Sequence, residues 1–268
     1  MSALALFGWA SAALLTLFAL AFWISRRVDN YGIVDVVWSA AFMALIVFYA
    51  SAGSGWAPRR WLLAAMVGAW SLRLASHLGI RVLGHLDQED RRYRQLRTDW
   101  AVGFERKMLL FFLLQGLSVA VLGLGFLPPM SNARTDFHAL ELAGAAVWLI
   151  ALIGESVADR QLAAFKRDPA NRGGICMTGL WRVSRHPNYF FEALAWTAWL
   201  LFALPSPGGW IAIIGPAGIL WLLLRVTGIP MAEQQSLQRH GDAYRRYQET
   251  TSAFVPWFPR KRPPAASA

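Results

Sequence analysis

Seven long apolar stretches constrain this 268-residue chain more than any other feature. Each has about 17 to 25 residues, and an α-helix of that length crosses the roughly 30 Å hydrocarbon layer of a bilayer. Arginine, glycine or proline residues punctuate their boundaries. The sequence therefore predicts an all-α, polytopic membrane protein with seven transmembrane helices, at residues 3–25, 33–52, 61–80, 108–128, 138–156, 188–205 and 209–226.

The amino-acid composition also indicates a membrane protein. Only 16% of the residues are charged and 56% are hydrophobic, whereas soluble domains carry about 25% charged residues. The 14 tryptophans fit the same reading, because indole rings concentrate where hydrocarbon meets headgroups. The first stretch lacks a basic n-region and an A-x-A cleavage cluster, so we interpret it as a membrane helix and not as a removed signal.

The basic residues indicate an orientation, because short loops rich in Lys and Arg stay in the cytoplasm. With seven spans, 22 of the 26 Lys and Arg residues fall on one side. The exceptions are Arg59, Arg60 and Arg134, together with Arg73 inside the third helix. We predict that the N-terminus lies outside and the C-terminus in the cytoplasm. The net charge of +10 then reflects topology and attraction to an anionic cofactor or lipid headgroup, and nucleic acid is not an expected partner.

The chain gives no sign of a metal site or of a second domain. The single cysteine, Cys176, cannot form an intramolecular disulfide and lacks His and Cys neighbours, so no metal is expected. We find no internal repeat and no long linker. The sequence predicts one monomeric membrane domain over residues 1–262 and a flexible tail at 263–268.

The densest group of polar, aromatic and glycine residues joins the fifth and sixth predicted helices, at residues 155–192. Its cations suit a phosphorylated ligand, and Pro187 fits the first turn of a helix whose N-terminal end favours anions. Glu192 lies one turn after Asn188 on the same helix face, and an ionisable group at that depth indicates function. The alternatives are an ordinary basic loop and a Glu192 simply paired with Arg185.

Helices two and three also carry polar residues at membrane depth. Asp35 and Trp38 lie on helix two, and Arg73, His77 and Arg81 are spaced by four along one face of helix three. Such groups should face one another or a cavity. A purely structural ion pair between Asp35 and Arg73 is the alternative.

The C-terminal segment, residues 227–247, contains Glu233, His240, Tyr244 and Tyr247. Their spacing is compatible with an amphipathic helix lying in the membrane interface. Such a helix would cover the ligand loop or anchor the tail.

The run W-R-V-S-R-H-P-N-Y-F-F-E at 181–192 resembles the signature of the membrane steroid 5α-reductase family, in its bacterial branch with the steroid 5-alpha reductase C-terminal-type domain. The runs F-K-R-D-P-A-N-R-G at 165–173 and T-S-A-F-V-P-W-F-P at 251–259 look like the same branch. The resemblance implies a seven-helix enzyme of a bacterial inner membrane. It also implies that NADPH lies in a cytoplasm-facing pocket and that the substrate is an apolar, steroid-like enone lipid.

Site residues are carried over by matching position. Asn188, Tyr189 and Glu192 match the family's cofactor motif, and Tyr247 matches its closing tyrosine. His240 stands where the family has a cofactor-contacting tyrosine. Asp159 and Lys166 fall near the family's acidic and basic cofactor contacts, and we add Arg172, Arg182, Arg185 and His186 from charge and proximity. The candidate cofactor-binding residues are then Asp159, Lys166, Asn171, Arg172, Arg182, Arg185, His186, Asn188, Tyr189, Glu192, His240, Tyr244 and Tyr247.

The implied chemistry is conjugate reduction, in which hydride reaches the β carbon and an acid stabilises the developing enolate. The family uses a carboxylate on helix two and a tyrosine on helix three. Asp35 looks like the carboxylate, and the candidate acids are His77 and, further into the following loop, Tyr93. Asp35 must be protonated to donate, or must orient another donor. Trp38 and Arg73 are the candidate substrate contacts.

Two other functions remain open. Isoprenylcysteine carboxyl methyltransferases, which have a related membrane fold, share an R-H-P-x-Y segment followed by a helical Glu, and they bind S-adenosylmethionine. A non-catalytic scaffold or a transporter is the third possibility. Gly215 and Pro216 interrupt helix seven, but no matching break marks another half of the chain.

Overall fold

The structure is a computed structural model, and it describes residues 1–260. Within that range the regular structure is helical throughout. The tail predicted at 263–268 lies outside the described residues. The α-helices are α1 (Ala3–Val28), α2 (Ile33–Ala52), α3 (Ala57–Leu83), α4 (Arg91–Asp99), α5 (Phe104–Leu122), α6 (Leu127–Ser131), α7 (Ala139–Arg167), α8 (Pro187–Ala203), α9 (Ile214–Trp221), α10 (Ile229–His240) and α11 (Asp242–Thr250).

Six helical segments of the described chain are long and apolar enough to cross a membrane. They are Ala3–Val28, Ile33–Ala52, Ala57–Leu83, Phe104–Ser131, Ala139–Arg167 and Gly209–His240. The predicted sixth span corresponds to α8, which has 17 residues and is therefore about 26 Å long at 1.5 Å per residue. The prediction of an all-helical, polytopic membrane protein is confirmed.

The chain divides into two compact units. The first comprises Met1–Leu142 and Trp199–Ile214, and the second comprises Ala143–Ala198 and the described chain from Gly215 onward. In the first unit α2 packs along α3 and α1 along α5. Aromatic side chains fill its interior, and the rings of Phe42 and Trp70 meet edge to face at 5.4 Å. The single-domain assignment over 1–262 stays a prediction.

Arg59, one of the arginines outside the basic side of the chain, is a buried cross-link of the first unit. Arg59 and Glu141 are both fully buried, with 2.5 Å between Nε and Oε1. The remaining guanidinium nitrogens donate to the backbone carbonyls of Asn132, Arg134 and Asp136 at 3.1, 2.6 and 2.6 Å. This arginine therefore joins α3, the loop before α7 and the first turn of α7.

The fifth predicted span holds two acids, Glu141 and Glu155, and the structure explains the first of them. Glu141 lies in the first turn of α7, where the helix dipole stabilises a negative charge. Its Oε2 also accepts from the backbone N–H of His138 at 2.8 Å. The carboxylate thus pairs with Arg59 and also accepts a hydrogen bond from a backbone N–H at the start of α7.

The C-terminal segment is helical, as its spacing suggests, but it forms two helices and not one; its place in the membrane interface stays a prediction. One turn of π-helix, Leu222–Val226, follows α9, and α10 and α11 are separate helices. They meet at Gly241, whose φ of +51° lies in the left-handed region. A glycine adopts that conformation without a Cβ clash, so the chain can turn there.

Candidate functional site

Arg185 stands two residues before α8 in the second unit and is almost completely buried, with 8% of its surface exposed. Its Nε donates to Glu233 Oε1 at 2.6 Å. Its Nη1 donates to the carbonyls of Gln248 at 3.1 Å and Thr251 at 2.5 Å. The alternative in which Arg185 pairs with Glu192 is wrong, because Glu233 takes that place.

Glu233, on α10, is the centre of this network. Beside Arg185 it accepts from Gln248 Nε2 at 2.7 Å and from the hydroxyl of Tyr244 at 3.4 Å. His186 Nε2 lies 3.2 Å from the same Oε1. Sequence reasoning placed Glu233 only on an amphipathic face and missed it as a member of the site. One indication of this role is present in the sequence, which is that Glu233 is a carboxylate shortly after Pro230 in a segment rich in basic residues.

Residues 251–258, which we call the C-terminal strap, lie against the segment before α8. The backbone N–H of Arg185 donates to the Ser252 carbonyl at 2.8 Å, and Ser184 Oγ donates to the Phe254 carbonyl at 2.8 Å. The N–H of Trp257 donates to the Val183 carbonyl at 2.9 Å. The strap therefore holds the R-H-P-N segment in one conformation.

Tyr247 strengthens that connection from α11. It is buried, and its hydroxyl donates to the backbone carbonyl of Trp181. Burial raises the pKa of Tyr247 above its ordinary value, so the hydroxyl keeps its proton and stays a donor at neutral pH. Tyr244 and Tyr247 thus support the segment before α8 from the C-terminal helices.

The first two turns of α8 carry the residues of the predicted cofactor motif. The Tyr189 ring stacks on His186, with 5.4 Å between centroids and 6° between planes. Glu192 Oε1 accepts from Trp196 Nε1 at 2.9 Å. The side-chain oxygen of Asn188 is buried and has no hydrogen-bond partner in the part of the chain that the structure describes. A buried acceptor without a donor is energetically costly.

The other predicted cofactor residues also belong to the second unit. Lys166, Arg172 and Arg182 are exposed, Asp159 is half-buried, and Asn171 donates to the Phe165 carbonyl at 3.3 Å. His240 Nδ1 lies 3.1 Å from the carbonyl of Gly173, whose φ is +79°. His240 thereby links α10 to the glycine turn.

The first unit holds a second cluster, around Asp35 in the first turn of α2. The hydroxyl of Tyr93, on α4, donates to Asp35 Oδ1 at 2.8 Å. Arg92 Nη2 donates to Oδ2 at 2.7 Å, and Arg81 Nη2 lies 3.8 Å from the same oxygen. The structure therefore brings together two of the three predicted catalytic residues.

Tyr93 is a neutral donor in this cluster. It is buried, and burial followed by the nearby charge of Asp35 holds its pKa well above the ordinary value. Asp90 caps α4 by accepting from the N–H of Arg92 at 2.9 Å. Burial acts to raise the Asp90 pKa, but the hydrogen bonds and charge of Arg92 outweigh it and lower that pKa. These contacts fix α4 and hence the Tyr93 hydroxyl.

The remaining candidates of the first unit have other surroundings. His77 is exposed on α3, and Arg73 is half-buried on the same helix. Trp38 Nε1 donates to Ser118 Oγ on α5 at 2.9 Å, so its indole N–H is already engaged. Among residues 1–260, no three His, Cys, Asp or Glu side chains are grouped to hold a metal ion.

The helices and these polar clusters define a multi-pass membrane protein. The chain belongs to the family described as "Protein of unknown function (DUF1295)", whose model matches residues 21–251. No curated protein and no solved structure matches the chain.

Alkaline pH is expected to weaken the attachment of α11. Burial, followed by the charge of Glu233, raises the pKa of Tyr244 from 10.0 to about 12. Because the folded-state pKa is the higher one, the stabilisation that Tyr244 contributes is fully present below about pH 10. It is lost as the pH rises toward 12. Between pH 9 and pH 11 the free energy of unfolding of the wild type should fall by about 1 kcal/mol, and that of Tyr244→Phe should fall less. Denaturation in detergent micelles at about pH 9 and pH 11 tests this, and equal losses in both proteins would contradict it.

Proposed function

We propose that this protein is an NADPH-dependent reductase that saturates the carbon–carbon double bond of an apolar enone lipid, of the 3-oxo-Δ4-steroid class. The observation that carries the proposal is the buried side-chain oxygen of Asn188, which has no hydrogen-bond partner within residues 1–260 and precedes Tyr189 and Glu192 on α8. The exposed cations before α8 supply complementary charge for a phosphorylated cofactor.

The residues of the second unit suit such a cofactor in distinct ways. Asn188 would accept from a carboxamide N–H, and Lys166, Arg172 and Arg182 would bind phosphate. Arg185 and His186 are held by Glu233, so within the cofactor site we assign them to positioning the segment before α8. When bound, NADPH would supply the hydride.

The cluster of the first unit is assigned the acid role. Hydride addition to the β carbon would leave negative charge on the carbonyl oxygen, and the α carbon would then take a proton from water. Tyr93 would donate to that oxygen, and Asp35 would hold the Tyr93 hydroxyl through the observed 2.8 Å contact. A proton on Asp35 would leave the Tyr93 proton entirely for the substrate.

The proposed topology has seven spans, with α8 as the sixth, in a bacterial inner membrane. The N-terminus would lie outside and the C-terminus in the cytoplasm, with the protein a monomer. Arg59 and Arg60 weigh little against this orientation, because both bind backbone carbonyls and so serve packing. In this orientation Lys166, Arg172 and Arg182 face the compartment that contains phosphorylated cofactors.

Titration calorimetry in detergent with NADPH and with S-adenosylmethionine tests the proposal. NADPH should bind, and Glu192→Gln should weaken it about tenfold, a loss of about 1.4 kcal/mol. Its effect follows from the position of Glu192 one turn after Asn188 on α8. Glu105→Gln is the matched control, because Glu105 is exposed and pairs with Arg26 in the other unit.

The outcomes separate the three functions. Binding of S-adenosylmethionine alone would replace the reductase proposal with the methyltransferase. Binding of neither ligand, with no NADPH oxidation across a broad enone panel, would favour a transporter or scaffold. Equal NADPH affinity of the wild type and Glu192→Gln would remove Glu192 from the site.

A further inference from the structure

A cavity of about 360 Å³ opens beneath the C-terminal strap, within the second unit. Its lining combines charged and aromatic side chains, among them Arg185, Glu249, Val255, Trp257, Phe258 and Arg260. The volume falls in the range of small-molecule sites, about 300 to 1,000 Å³. None of the cofactor roles proposed above uses this space.

The most buried charge of the cavity lining is the guanidinium of Arg185. Two of its nitrogens are occupied, Nε by Glu233 and Nη1 by backbone carbonyls. Among residues 1–260, Nη2 makes no hydrogen bond. A rigidly held guanidinium with a donor to spare is suited to an anionic oxygen, because little side-chain entropy is lost when the oxygen binds.

The outer part of the cavity is apolar and strongly exposed. Trp257 and Phe258 expose 67% and 82% of their surfaces, and Val255 exposes 52%. The backbone N–H of Trp257 donates to the carbonyl of Val183, four residues before α8, so this part of the strap lies near the level at which that apolar helix begins. Exposed aromatic rings at this level are typical of the interface between hydrocarbon and headgroups.

The balance of charge favours a singly charged ligand. Glu233 compensates Arg185, and Glu249 opposes Arg260 in the lining, so the cavity is not a site for several phosphates. A phosphodiester carries one negative charge and, in a phospholipid, is attached to acyl chains that the exposed aromatic residues can contact. A nucleotide would bring more charge and no such chains.

We propose that this cavity binds the headgroup of an anionic phospholipid, with the phosphate near Arg185 and Arg260 and the acyl region against Trp257 and Phe258. The bound lipid would hold the strap at the membrane surface. This inference does not depend on the reductase activity, because it concerns a different set of contacts and needs no cofactor.

Native mass spectrometry of the delipidated protein in detergent tests this proposal. Phosphatidylglycerol should bind more tightly than phosphatidylcholine, and Arg260→Gln should weaken its binding about fivefold. Trp257→Ala should weaken binding of both lipids. Arg246→Gln is the matched control, because Arg246 is exposed on α11 and is absent from the cavity lining.

Three outcomes would overturn the proposal. The first is equal loss in Arg260→Gln and Arg246→Gln, which would show a diffuse charge effect. The second is equal affinity for the two lipids. The third is displacement of phosphatidylglycerol by inorganic phosphate, which would make the cavity a site for free anions. NADPH titrated in the same experiment should leave lipid binding unchanged.

Discussion

Tyr93→Phe is expected to lower the turnover number for enone reduction by about 10²- to 10³-fold. The substitution removes the hydroxyl that donates to Asp35 and retains the ring, which packs edge to face on Phe111 at 6.3 Å. The affinity for NADPH should not change, because Tyr93 is not among the residues proposed to bind the cofactor. A fall in turnover without a fall in cofactor affinity is the signature of a lost acid.

The measurement is anaerobic NADPH consumption with a panel of enones, together with NADPH binding. Asp35→Asn should also slow turnover, because its amide cannot hold the Tyr93 hydroxyl as a carboxylate does. Tyr49→Phe is the control, since Tyr49 is buried on the same helix as Asp35 and its hydroxyl has no partner within residues 1–260. Wild-type turnover in both Tyr93→Phe and Asp35→Asn would remove this pair from the chemistry.

Arg59→Met is expected to lower the free energy of unfolding by about 3 to 5 kcal/mol, the usual cost of breaking a buried ion pair. The change leaves Glu141 buried without its cation and leaves the carbonyls of Asn132, Arg134 and Asp136 without their donor. The loop before α7 should then lose its fixed conformation. Denaturation with a harsh detergent in mixed micelles measures the effect.

Two control variants show whether the fall in the free energy of unfolding comes from the buried ion pair. Arg134→Gln breaks an exposed ion pair with Asp136, and because water screens such a pair the change should have little effect on the free energy of unfolding. The double variant Arg59→Met/Glu141→Leu should recover part of the loss, because no unpaired charge stays buried. If Arg59→Met were as stable as Arg134→Gln, the buried pair would not contribute as argued.

The sequence predicted the parts of this protein that depend on local composition. The apolar lengths and their flanking arginines indicated the helices, and Pro187 indicated the start of α8. The run at 181–192 indicated that Asn188, Tyr189 and Glu192 share the first turns of that helix. Helical periodicity is enough for such statements, because residues four apart lie on one face whatever surrounds the helix.

The partners of the charged residues could not be predicted in this way. Arg185 has its carboxylate 48 residues away, on a helix that the sequence did not separate from its neighbour. Asp35 finds Tyr93 on α4, a short polar helix inside what the sequence indicated only as a loop. Basic residues in loops look alike in sequence, so the difference between the buried Arg185 and the exposed Arg182 was not visible.

By itself the sequence determined that this chain is a bundle of membrane helices, because long apolar segments in lipid must satisfy their backbone hydrogen bonds internally and a helix does so with local residues alone. Only the tertiary structure decided which charged side chains pair with one another and which are available to bind a ligand. That choice depends on contacts between segments distant in the chain, where burial makes an unpaired charge costly and therefore selects the partner.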